Sequence, residues 1–180
     1  LEVCKTKGRL AVLSEKISSL TKAFEGTCGI GHTRWATHGE PSDTNSHPHG
    51  TGRMYIVHNG IIENYAELRK VLTEKGYSFE SQTDTEIAAK LIDFYYGETH
   101  DPYTAFSKAI KELVGSYAIG AIFEDHPGKI YCTRKDNPLI ITKMIAKISV
   151  KLDYQLILFY ISFDICKYQL YSHLIYLLQY

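Results

Sequence analysis

The sequence predicts an α+β fold, and three features of the chain support this prediction. Apolar side chains recur at helical spacing in several stretches, as expected of helices that pack on a core. In the middle of the chain, a β-rich run leads through a turn signal into one of these stretches. Further on, two β-rich runs are separated by a short His-Pro-Gly sequence, as in a hairpin. A chain of 180 residues is long enough for one domain with a sizeable core.

The first predicted helix covers residues 10–24, LAVLSEKISSLTKAF, because apolar side chains recur along one face. These side chains are Leu10, Leu13, Ile17 and Leu20. Residues 27–33, TCGIGHT, form a short, mostly uncharged run that favours a strand leading into a loop. Residues 39–52 contain three glycines and two prolines and therefore predict a loop. A loop of this length inside a compact domain is often functional.

The run RMYIVHNG at residues 53–60 predicts a strand that stops at Asn59 and Gly60. The next stretch, IIENYAELRKVLTEKG, predicts a helix with Gly76 as its C-terminal cap. Its apolar face is expected to contain Ile62, Tyr65, Leu68 and Leu72. This part of the chain is therefore predicted as strand, turn and helix.

The stretch DTEIAAKLIDFYY predicts another helix, which begins near Asp84. Thr83 or Asp84 is expected to cap it, because a side-chain oxygen there accepts a free backbone N–H. A further helix is predicted at about residues 102–113, where Pro102 is tolerated in the first turn. The runs SYAIGAIFED and KIYCTRK, separated by HPG, then predict two strands of a hairpin-like pair.

The composition of the chain changes after Lys143. Residues 144–180 contain no Gly, Pro, Arg, Glu, Thr, Asn or Trp and are rich in Ile, Leu and Tyr, whereas a folded domain normally needs turn residues. A membrane span is a poor fit, because Asp, Lys, Gln and His side chains interrupt the apolar run. We therefore predict a domain at residues 1–142 and a tail at residues 143–180 that is not native domain sequence.

Charge and cysteine usage exclude some classes of protein. Twenty basic and twenty acidic side chains cancel, which argues against a nucleic-acid partner. The four cysteines lie far apart without a C-x-x-C pair, which argues against a zinc ribbon or a disulfide framework and favours a reducing compartment, by default the cytoplasm. The opening LEVCKTKGRL has no signal pattern, and because the chain starts with Leu1 we expect it to be part of a longer protein.

Two stretches contain side chains that suit a small anionic or carbonyl ligand. Arg34 offers a planar set of donors for a carboxylate or phosphate, and Thr37 adds a hydroxyl. The alternative is that Arg34 forms an internal salt bridge and Trp35 is a core residue. Asn59 and Gly60 would normally indicate a hairpin turn, but a predicted helix follows them. The amide of Asn59 and the N–H of Gly60 could instead form an oxyanion hole.

Asp84 has two interpretations, as a helix cap or as the partner of a substrate ammonium group. An anion-binding arginine, an ammonium partner and an oxyanion hole would together hold an amino acid whose side-chain carbonyl is attacked, and such a reaction needs a nucleophile. Cys28 is the nearest candidate. Because no base is placed beside it and buried strand cysteines are usually inert, the sequence favours a structural role for this thiol.

The histidines of this region raise the possibility of a metal site. They are His32, His38, His47, His49 and His58. No cysteine or second carboxylate joins them at the spacing of metal ligands, and neighbouring loop histidines are more often solvated or hydrogen-bonded. We therefore predict no metal and no cofactor.

Four segments together resemble a known family: GIGHTRWATHGEPSDTNSHPH, VHNGIIENYAELR, SQTDTE and RKDNPL. In order and spacing they resemble the glutaminase domain of glutamine:fructose-6-phosphate amidotransferases, over roughly residues 5–140. The TRWATHG and HNGIIEN segments separate this family from the related phosphoribosylpyrophosphate amidotransferases, which have a different arginine loop.

The resemblance implies a class II glutaminase of the N-terminal nucleophile hydrolase type, a four-layer α/β/β/α sandwich. It implies that glutamine is the substrate, that Arg34 binds its α-carboxylate and that Asp84 binds its α-amino group. Asn59 and Gly60 would stabilise the oxyanion. The resemblance also implies roles in the glutamine loop and in ammonia passage for the neighbours of Arg34: Thr37 and His38 line the loop and Trp35 gates the passage.

In this family the nucleophile is a cysteine at the mature N-terminus, and its own α-amine is the base. The ammonia converts fructose 6-phosphate to glucosamine 6-phosphate in a separate isomerase domain, and the full-length enzyme is expected to be a homo-oligomer with no membrane or nucleic-acid partner. The terminal cysteine and the isomerase domain are expected outside this sequence, so the sandwich should be incomplete and the chain alone inactive. The alternatives are another class II amidotransferase of the phosphoribosylpyrophosphate type, or a non-catalytic truncated product or incomplete gene model.

Overall fold

A computed structural model describes residues 1–20, 28–33, 40–144, 147–151, 157–161, 167–170 and 175–179, with only the backbone described beyond residue 139. These residues form four helices and ten strands. The helices are α1 (Leu10–Ser18), α2 (Tyr65–Glu74), α3 (Asp84–Thr99) and α4 (Pro102–Glu112). The strands are β1 (Cys28–His32), β2 (His49–Gly50), β3 (Met54–Ile62), β4 (Gly115–Phe123), β5 (Lys129–Lys135), β6 (Ile140–Met144), β7 (Lys147–Lys151), β8 (Ile157–Ile161), β9 (Lys167–Leu170) and β10 (Ile175–Gln179).

Six strands form one antiparallel sheet in the order β2-β3-β4-β5-β10-β9. The longest pairing joins β3 to β4, from Met54 opposite Phe123 to Ile62 opposite Gly115. The predicted hairpin-like pair is confirmed, because β4 and β5 are antiparallel neighbours. Two smaller sheets pair β1 with β8 and β6 with β7. These pairings bring β1 and the end of β3 into one region, since β1 also contacts β3 and β4.

The core lies between the helices and the main sheet. Helix α3 packs on β2 and β3, and α2 and α4 pack on α3. Ile87 and Ile92 of α3, Phe106 of α4 and Ile119 of β4 are almost fully buried, and each contributes about 1.5 to 3 kcal/mol through the hydrophobic effect. Helices packed on an antiparallel sheet confirm the predicted α+β class.

Polar residues start α3 and α4 at the predicted places. The Thr83 hydroxyl accepts a hydrogen bond from the backbone N–H of Glu86, so the N-cap of α3 is the threonine and not the neighbouring aspartate. Asp101 caps α4 by accepting from the Thr104 N–H at 2.8 Å, and Pro102 occupies the first turn, where its missing N–H costs no helical hydrogen bond.

Gly76 ends α2, as the sequence predicts. Its φ of 92° is in the left-handed region that favours glycine. The Gly76 N–H donates to the Thr73 carbonyl, and the Tyr77 N–H donates to the Leu72 carbonyl, both at 2.9 Å. This pair of bonds is a Schellman motif, which satisfies two carbonyls at the end of the helix.

Helix α1 is shorter and less buried than predicted. Within the described residues it ends at Ser18 rather than at residue 24, and none of its residues is buried. Leu10, Ile17 and Leu20, which are expected on a core face, are 62%, 39% and 43% exposed. Helical spacing identifies side chains that share a face, but it does not show that another element covers this face.

The turn predicted at Asn59 and Gly60 is wrong. Strand β3 continues through both residues to Ile62, with Asn59 opposite Ala118 of β4. The turn follows at Glu63, whose N–H donates to the Val114 carbonyl at 2.8 Å. The long pairing with β4 therefore overrides the local turn preference of an Asn-Gly pair.

Beyond residue 139 the described backbone forms strands. β10 extends the main sheet beside β5, and β8 pairs with β1. The division of the chain between residues 142 and 143 stays a prediction. In the parts of the chain that the structure describes, no helix combines the length and the apolar character needed to cross a membrane.

Candidate functional site

The predicted ligand-binding residues that the structure describes lie around the end of β3 and the start of α3. They are Asn59, Gly60 and Asp84. The other four predicted residues lie outside the described residues: Arg34, Trp35, Thr37 and His38. Their segment begins two positions after His32, the last residue of β1, and the His32 imidazole contacts Asn59. The described part of the site therefore borders the segment that contains the predicted arginine.

Asp84 is the first residue of α3, and it is only 6% exposed. Its Oδ2 accepts a hydrogen bond from the backbone N–H of Ile62 at 2.9 Å. Its Oδ1 lies 3.5 Å from the Thr85 hydroxyl and 3.8 Å from Nδ1 of His58. Asp84 also lies in the first turn of α3, where a helix dipole generally favours negative charge. The aspartate is thus a buried anion fixed beside the end of β3.

Asn59 is 9% exposed and is contacted from two directions. Its side-chain Oδ1 lies 2.6 Å from Nε2 of His32. Its backbone carbonyl accepts a hydrogen bond from the Asn137 amide at 3.3 Å. A peptide unit is planar, so a bond that orients the Asn59 carbonyl also orients the N–H of Gly60 on the same peptide.

Gly60 has a φ of 117°, a conformation that L residues rarely adopt. A Cβ at this position would lie 2.0 Å from the Ser116 carbonyl oxygen and 2.5 Å from Nδ2 of Asn137. The position therefore requires glycine for two reasons, the backbone conformation and the close approach of β4. This requirement explains a glycine inside a strand better than the predicted turn does.

Four histidines surround Asn59 and Asp84. The rings of His32 and His47 stack, with 4.1 Å between centroids and 17° between planes, and His47 meets His49 edge to face. Nδ1 of His47 accepts the backbone N–H of His58 at 3.3 Å, and its Nε2 lies 3.3 Å from the Thr85 hydroxyl. The rings thus connect the surroundings of Asn59 with those of Asp84.

Two side chains fix the loop that leads into β2. The Lys5 ammonium donates to the carbonyl of Ser46 at 3.0 Å and to that of Pro48 at 3.3 Å. Asn45 accepts the backbone N–H of Gln82 at 3.0 Å, which joins this loop to the segment just before α3. The positions of His47 and Asp84 therefore depend on contacts that join distant parts of the chain.

Glu86 fixes the segment before Asp84 from within α3. Its carboxylate accepts the backbone N–H groups of Glu80 and Ser81 at 3.0 and 2.6 Å, and Lys90 lies 2.9 Å away. Burial raises the pKa of this carboxyl, but the hydrogen bonds from Glu80, Lys90 and Ser81 outweigh burial and lower the pKa to about 2. The charged glutamate is therefore part of the structure that presents Asp84.

Cys28 lies on β1, four positions before His32. Burial raises the pKa of its thiol to about 11, so the thiol is protonated and poorly nucleophilic near neutral pH. Burial raises the pKa of Cys132 on β5 to about 12. The environment of Cys28 agrees with the structural role favoured by the sequence.

A cavity of about 270 Å³ adjoins the site on the side of β1. His32, Thr33 and His47 line it together with Pro41 and Pro48. Among the described residues, no group of three or more His, Cys, Asp or Glu side chains is arranged to hold a metal ion. The described histidines instead make hydrogen bonds and ring contacts.

The residues that support the site are not among the predicted ligand-binding residues. The sequence suggests a metal site as the only alternative role of His32, His47 and His58, and it singles out neither Thr85 nor Asn45. The sequence signal for these histidines is their position in or beside the predicted ligand-binding segments, in GIGH, HPH and VHN. Their partners lie up to 38 positions away in the chain, which no local pattern reveals.

The sequence of this chain matches a known family and several known proteins. A family model described as glutamine amidotransferase domain matches residues 32–147. Glutamine–fructose-6-phosphate aminotransferase (isomerizing) of Clostridium tetani is 54% identical over 139 residues, 76% of this chain and 22% of that protein. The proteins of the same name from Clostridium perfringens and Thermococcus kodakarensis are 55% and 46% identical, over 76% and 78% of this chain and 22% and 23% of theirs. The chain thus spans about a fifth of the length of these relatives.

Solved structures show the same fold at lower sequence identity. The glutamine phosphoribosylpyrophosphate amidotransferase from B. subtilis, complexed with ADP and GMP, aligns with a TM-score of 0.53 and 19% identity, over 76% of this chain and 35% of that one. Another structure, titled as the allosteric regulatory enzyme of purine biosynthesis, aligns with a TM-score of 0.50 and 18% identity, over 69% of this chain and 33% of that one. The likeness shows that the chain shares the α+β fold of these structures. Because the family model matches more than half of the residues of this chain, the chain belongs to the glutamine amidotransferase domain family.

Proposed function

We propose that this chain is the glutamine-binding part of a glutamine:fructose-6-phosphate aminotransferase. In this proposal the domain releases ammonia from glutamine, and a domain outside these 180 residues uses the ammonia to make glucosamine 6-phosphate from fructose 6-phosphate. The observation that carries the proposal is the buried Asp84 carboxylate, fixed by the Ile62 N–H on the strand that contains Asn59 and Gly60. The identity of 46 to 55% to relatives with this name supports the choice of acceptor.

The arrangement suits an amino acid with a side-chain amide. Ile62 and Asn59 are three residues apart on β3, a span of about 10 Å at the rise of a β-strand. A ligand whose ammonium group meets Asp84 can therefore place its side-chain carbonyl near Asn59. Arg34 would bind the α-carboxylate of the same ligand by a bidentate contact. In the proposed pocket Thr37 and His38 line the loop, and the remaining predicted residue, Trp35, gates ammonia passage.

The proposed chemistry is an acyl transfer through a thioester. The thiol of an N-terminal cysteine attacks the γ-carbonyl carbon of glutamine, and the carbonyl oxygen becomes an oxyanion. The Asn59 amide and the Gly60 N–H would stabilise this charge. The amide nitrogen accepts a proton and leaves as ammonia, and water then hydrolyses the thioester to glutamate and the free thiol. The role of Asn59 and Gly60 is thus to lower the barrier to both tetrahedral intermediates.

The remaining parts of the proposal concern the whole protein. The full-length protein would be a homo-oligomer in a reducing compartment, by default the cytoplasm. Residues 1–142 would form the domain, and residues 143–180 would not be native domain sequence. Sequencing the genomic DNA and the transcripts after the codon of Lys143 tests this division. A glutaminase-like coding sequence that continues beyond an intron supports it. Transcripts that encode residues 144–180 unchanged contradict it.

An assay of the full-length protein that contains this domain tests the function. The protein is incubated with glutamine alone, with glutamine and fructose 6-phosphate, and with glutamine and phosphoribosylpyrophosphate, and glutamate and the aminated product of each acceptor are quantified. We expect glutamate release and one glucosamine 6-phosphate per glutamate when the sugar phosphate is present. Transfer of ammonia to phosphoribosylpyrophosphate instead would support the other class II amidotransferases, whose fold this chain shares. Absence of glutamate release from folded protein would refute both assignments.

A further inference from the structure

The contact between His32 and Asn59 assigns a role to a residue outside the predicted pocket. Nε2 of His32 lies 2.6 Å from Oδ1 of Asn59, which is short for a hydrogen bond between nitrogen and oxygen. We propose that His32 is a positioning residue that directs the NH₂ group of the Asn59 side chain toward the reacting carbonyl. The proposal rests on the proposed function of Asn59 as an oxyanion donor.

An asparagine side chain has two ends of similar shape and opposite function. The NH₂ group donates hydrogen bonds, whereas the oxygen only accepts them. An oxyanion is stabilised by the NH₂ group and repelled by the oxygen. A rotation of 180° about the last side-chain bond of Asn59 exchanges the two ends without changing the packing. A site that uses this amide therefore needs a group that distinguishes them.

His32 makes this distinction because one ring nitrogen contacts one end of the amide. When Nε2 of His32 carries a proton, it donates to Oδ1 of Asn59, and the NH₂ group is left to face the other side. The Asn137 contact does not provide the same control, since it binds the backbone carbonyl of Asn59 and leaves the side chain free to rotate. The orientation of the amide thus depends on the imidazole.

The His32 ring is itself held in place. It stacks on His47 with 4.1 Å between ring centroids. His47 accepts the backbone N–H of His58 through Nδ1, which in the neutral ring leaves the proton on Nε2, where the Thr85 hydroxyl lies at 3.3 Å. A stacked ring that is fixed at both nitrogens restrains the plane of its neighbour. His32 can therefore present Nε2 to Asn59 with little conformational freedom.

Three substitutions in the full-length protein separate this role from packing. His32→Gln places an amide nitrogen near the position of Nε2, whereas His32→Asn reaches only the position of Nδ1. His32→Phe keeps an aromatic ring for stacking on His47 but has no donor. We expect His32→Asn and His32→Phe to lower kcat for glutamine hydrolysis roughly 10- to 100-fold, with KM changed less than about threefold, because the contact acts on the oxyanion donor. His32→Gln should recover most of the lost kcat.

A double-mutant cycle with Asn59→Ala completes the test. When Asn59 has no amide, substitution of His32 should have no further effect on kcat, because a positioning residue acts only through the group that it positions. Equal kcat values for the Gln and Phe variants, additive losses in the cycle, or a change in KM alone would each overturn the proposal. A wild-type protein that releases no glutamate would instead overturn the proposed function, and this inference with it.

Discussion

The carboxylate of Asp84, the first residue of α3, accepts a hydrogen bond of 2.9 Å from the backbone N–H of Ile62, the last residue of β3. Asp84 thus makes a structural contact, and it is also a candidate ligand-binding residue. The N-cap of α3, the alternative role predicted for Asp84, belongs to Thr83. The Asp84 carboxylate is held by the Ile62 N–H, and the ammonium group of the proposed substrate would be a further partner of its charge.

Asp84→Asn should weaken glutamine binding while keeping the fold. The asparagine oxygen can still accept the Ile62 N–H, but the variant loses the negative charge that is proposed to bind the ammonium group. A charge-assisted hydrogen bond contributes about 1.5 to 3 kcal/mol, so KM for glutamine should rise roughly 10- to 100-fold in the full-length protein. The measurement is a saturation curve for glutamate release.

An analogue of glutamine without the α-amino group provides the matched control for this substitution. Glutaramate should be a poor substrate of the wild-type protein, and Asp84→Asn should discriminate much less between glutamine and glutaramate. If the variant keeps the wild-type preference for glutamine, Asp84 does not bind the ammonium group.

Gly60→Ala should destabilise the protein. The φ of 117° disfavours any L residue by about 1 to 2 kcal/mol, and the Ser116 oxygen lies 2.0 Å from the new Cβ, which adds about 1 to 3 kcal/mol of strain. Chemical denaturation should show a total loss of about 2 to 5 kcal/mol. Gly76→Ala is the control, because Gly76 has a φ of 92° with open space around it and should lose only about 1 to 2 kcal/mol. Equal losses at the two positions would contradict the close approach of β4.

Glycine at position 60 also shows where prediction from the sequence fails. The Asn-Gly pair is a local turn signal, but the nine-residue pairing of β3 with β4 is a tertiary feature that overrides it. In contrast, Gly76 and Pro102 act locally at helix ends, and the sequence predicts both roles. Thr83, one of the two predicted caps of α3, is the cap that the structure shows. Local caps are thus predictable, whereas strand length depends on a partner that the pattern does not identify.

Glu86 should make stability depend on pH in acid. Its pKa is lowered to about 2 in the folded protein, so its contribution is fully present above the unfolded value of 4.5 and is lost as pH falls toward 2. The contribution is about 3 kcal/mol. Glu86→Gln should therefore be less stable than the wild type at pH 7, and the difference should shrink between about pH 4.5 and pH 2. Denaturant unfolding at several pH values measures it, and a difference that stays constant across this range would contradict the pKa assignment.

Cys28→Ala should leave glutamine hydrolysis by the full-length protein within about threefold of the wild-type rate. Burial raises the pKa of the Cys28 thiol to about 11, so it is not the attacking thiolate near neutral pH. Steady-state glutamate release measures the effect, and Cys132→Ala on β5 is the control for loss of a buried thiol. Complete loss of turnover in a folded Cys28→Ala protein, with Cys132→Ala active, would make Cys28 the nucleophile.

The sequence indicates candidate ligand-binding residues, whose roles stay predictions, but it does not indicate the residues that support them. The side-chain types of Asn59 and Asp84 suit an amino acid with a side-chain amide, but a turn and a helix cap were equally open for them until the family resemblance was added. His32 and His47 act through stacking and through partners on other strands, and only the fold brings these together. Residues that contact a ligand can be indicated by their side-chain chemistry. Residues that orient them are identified only when the folded structure shows their contacts.

The most direct test of the proposed glutamine pocket is glutamine hydrolysis by the full-length protein, measured for Arg34→Ala, Arg34→Lys and the wild type. Arg34 is proposed to bind the α-carboxylate of glutamine through two parallel hydrogen bonds, which lysine cannot reproduce. We expect KM for glutamine to rise about 10- to 100-fold in the alanine variant and by a smaller factor in the lysine variant, with kcat changed much less. An unchanged KM in Arg34→Ala would contradict the assignment of this domain as a glutamine pocket.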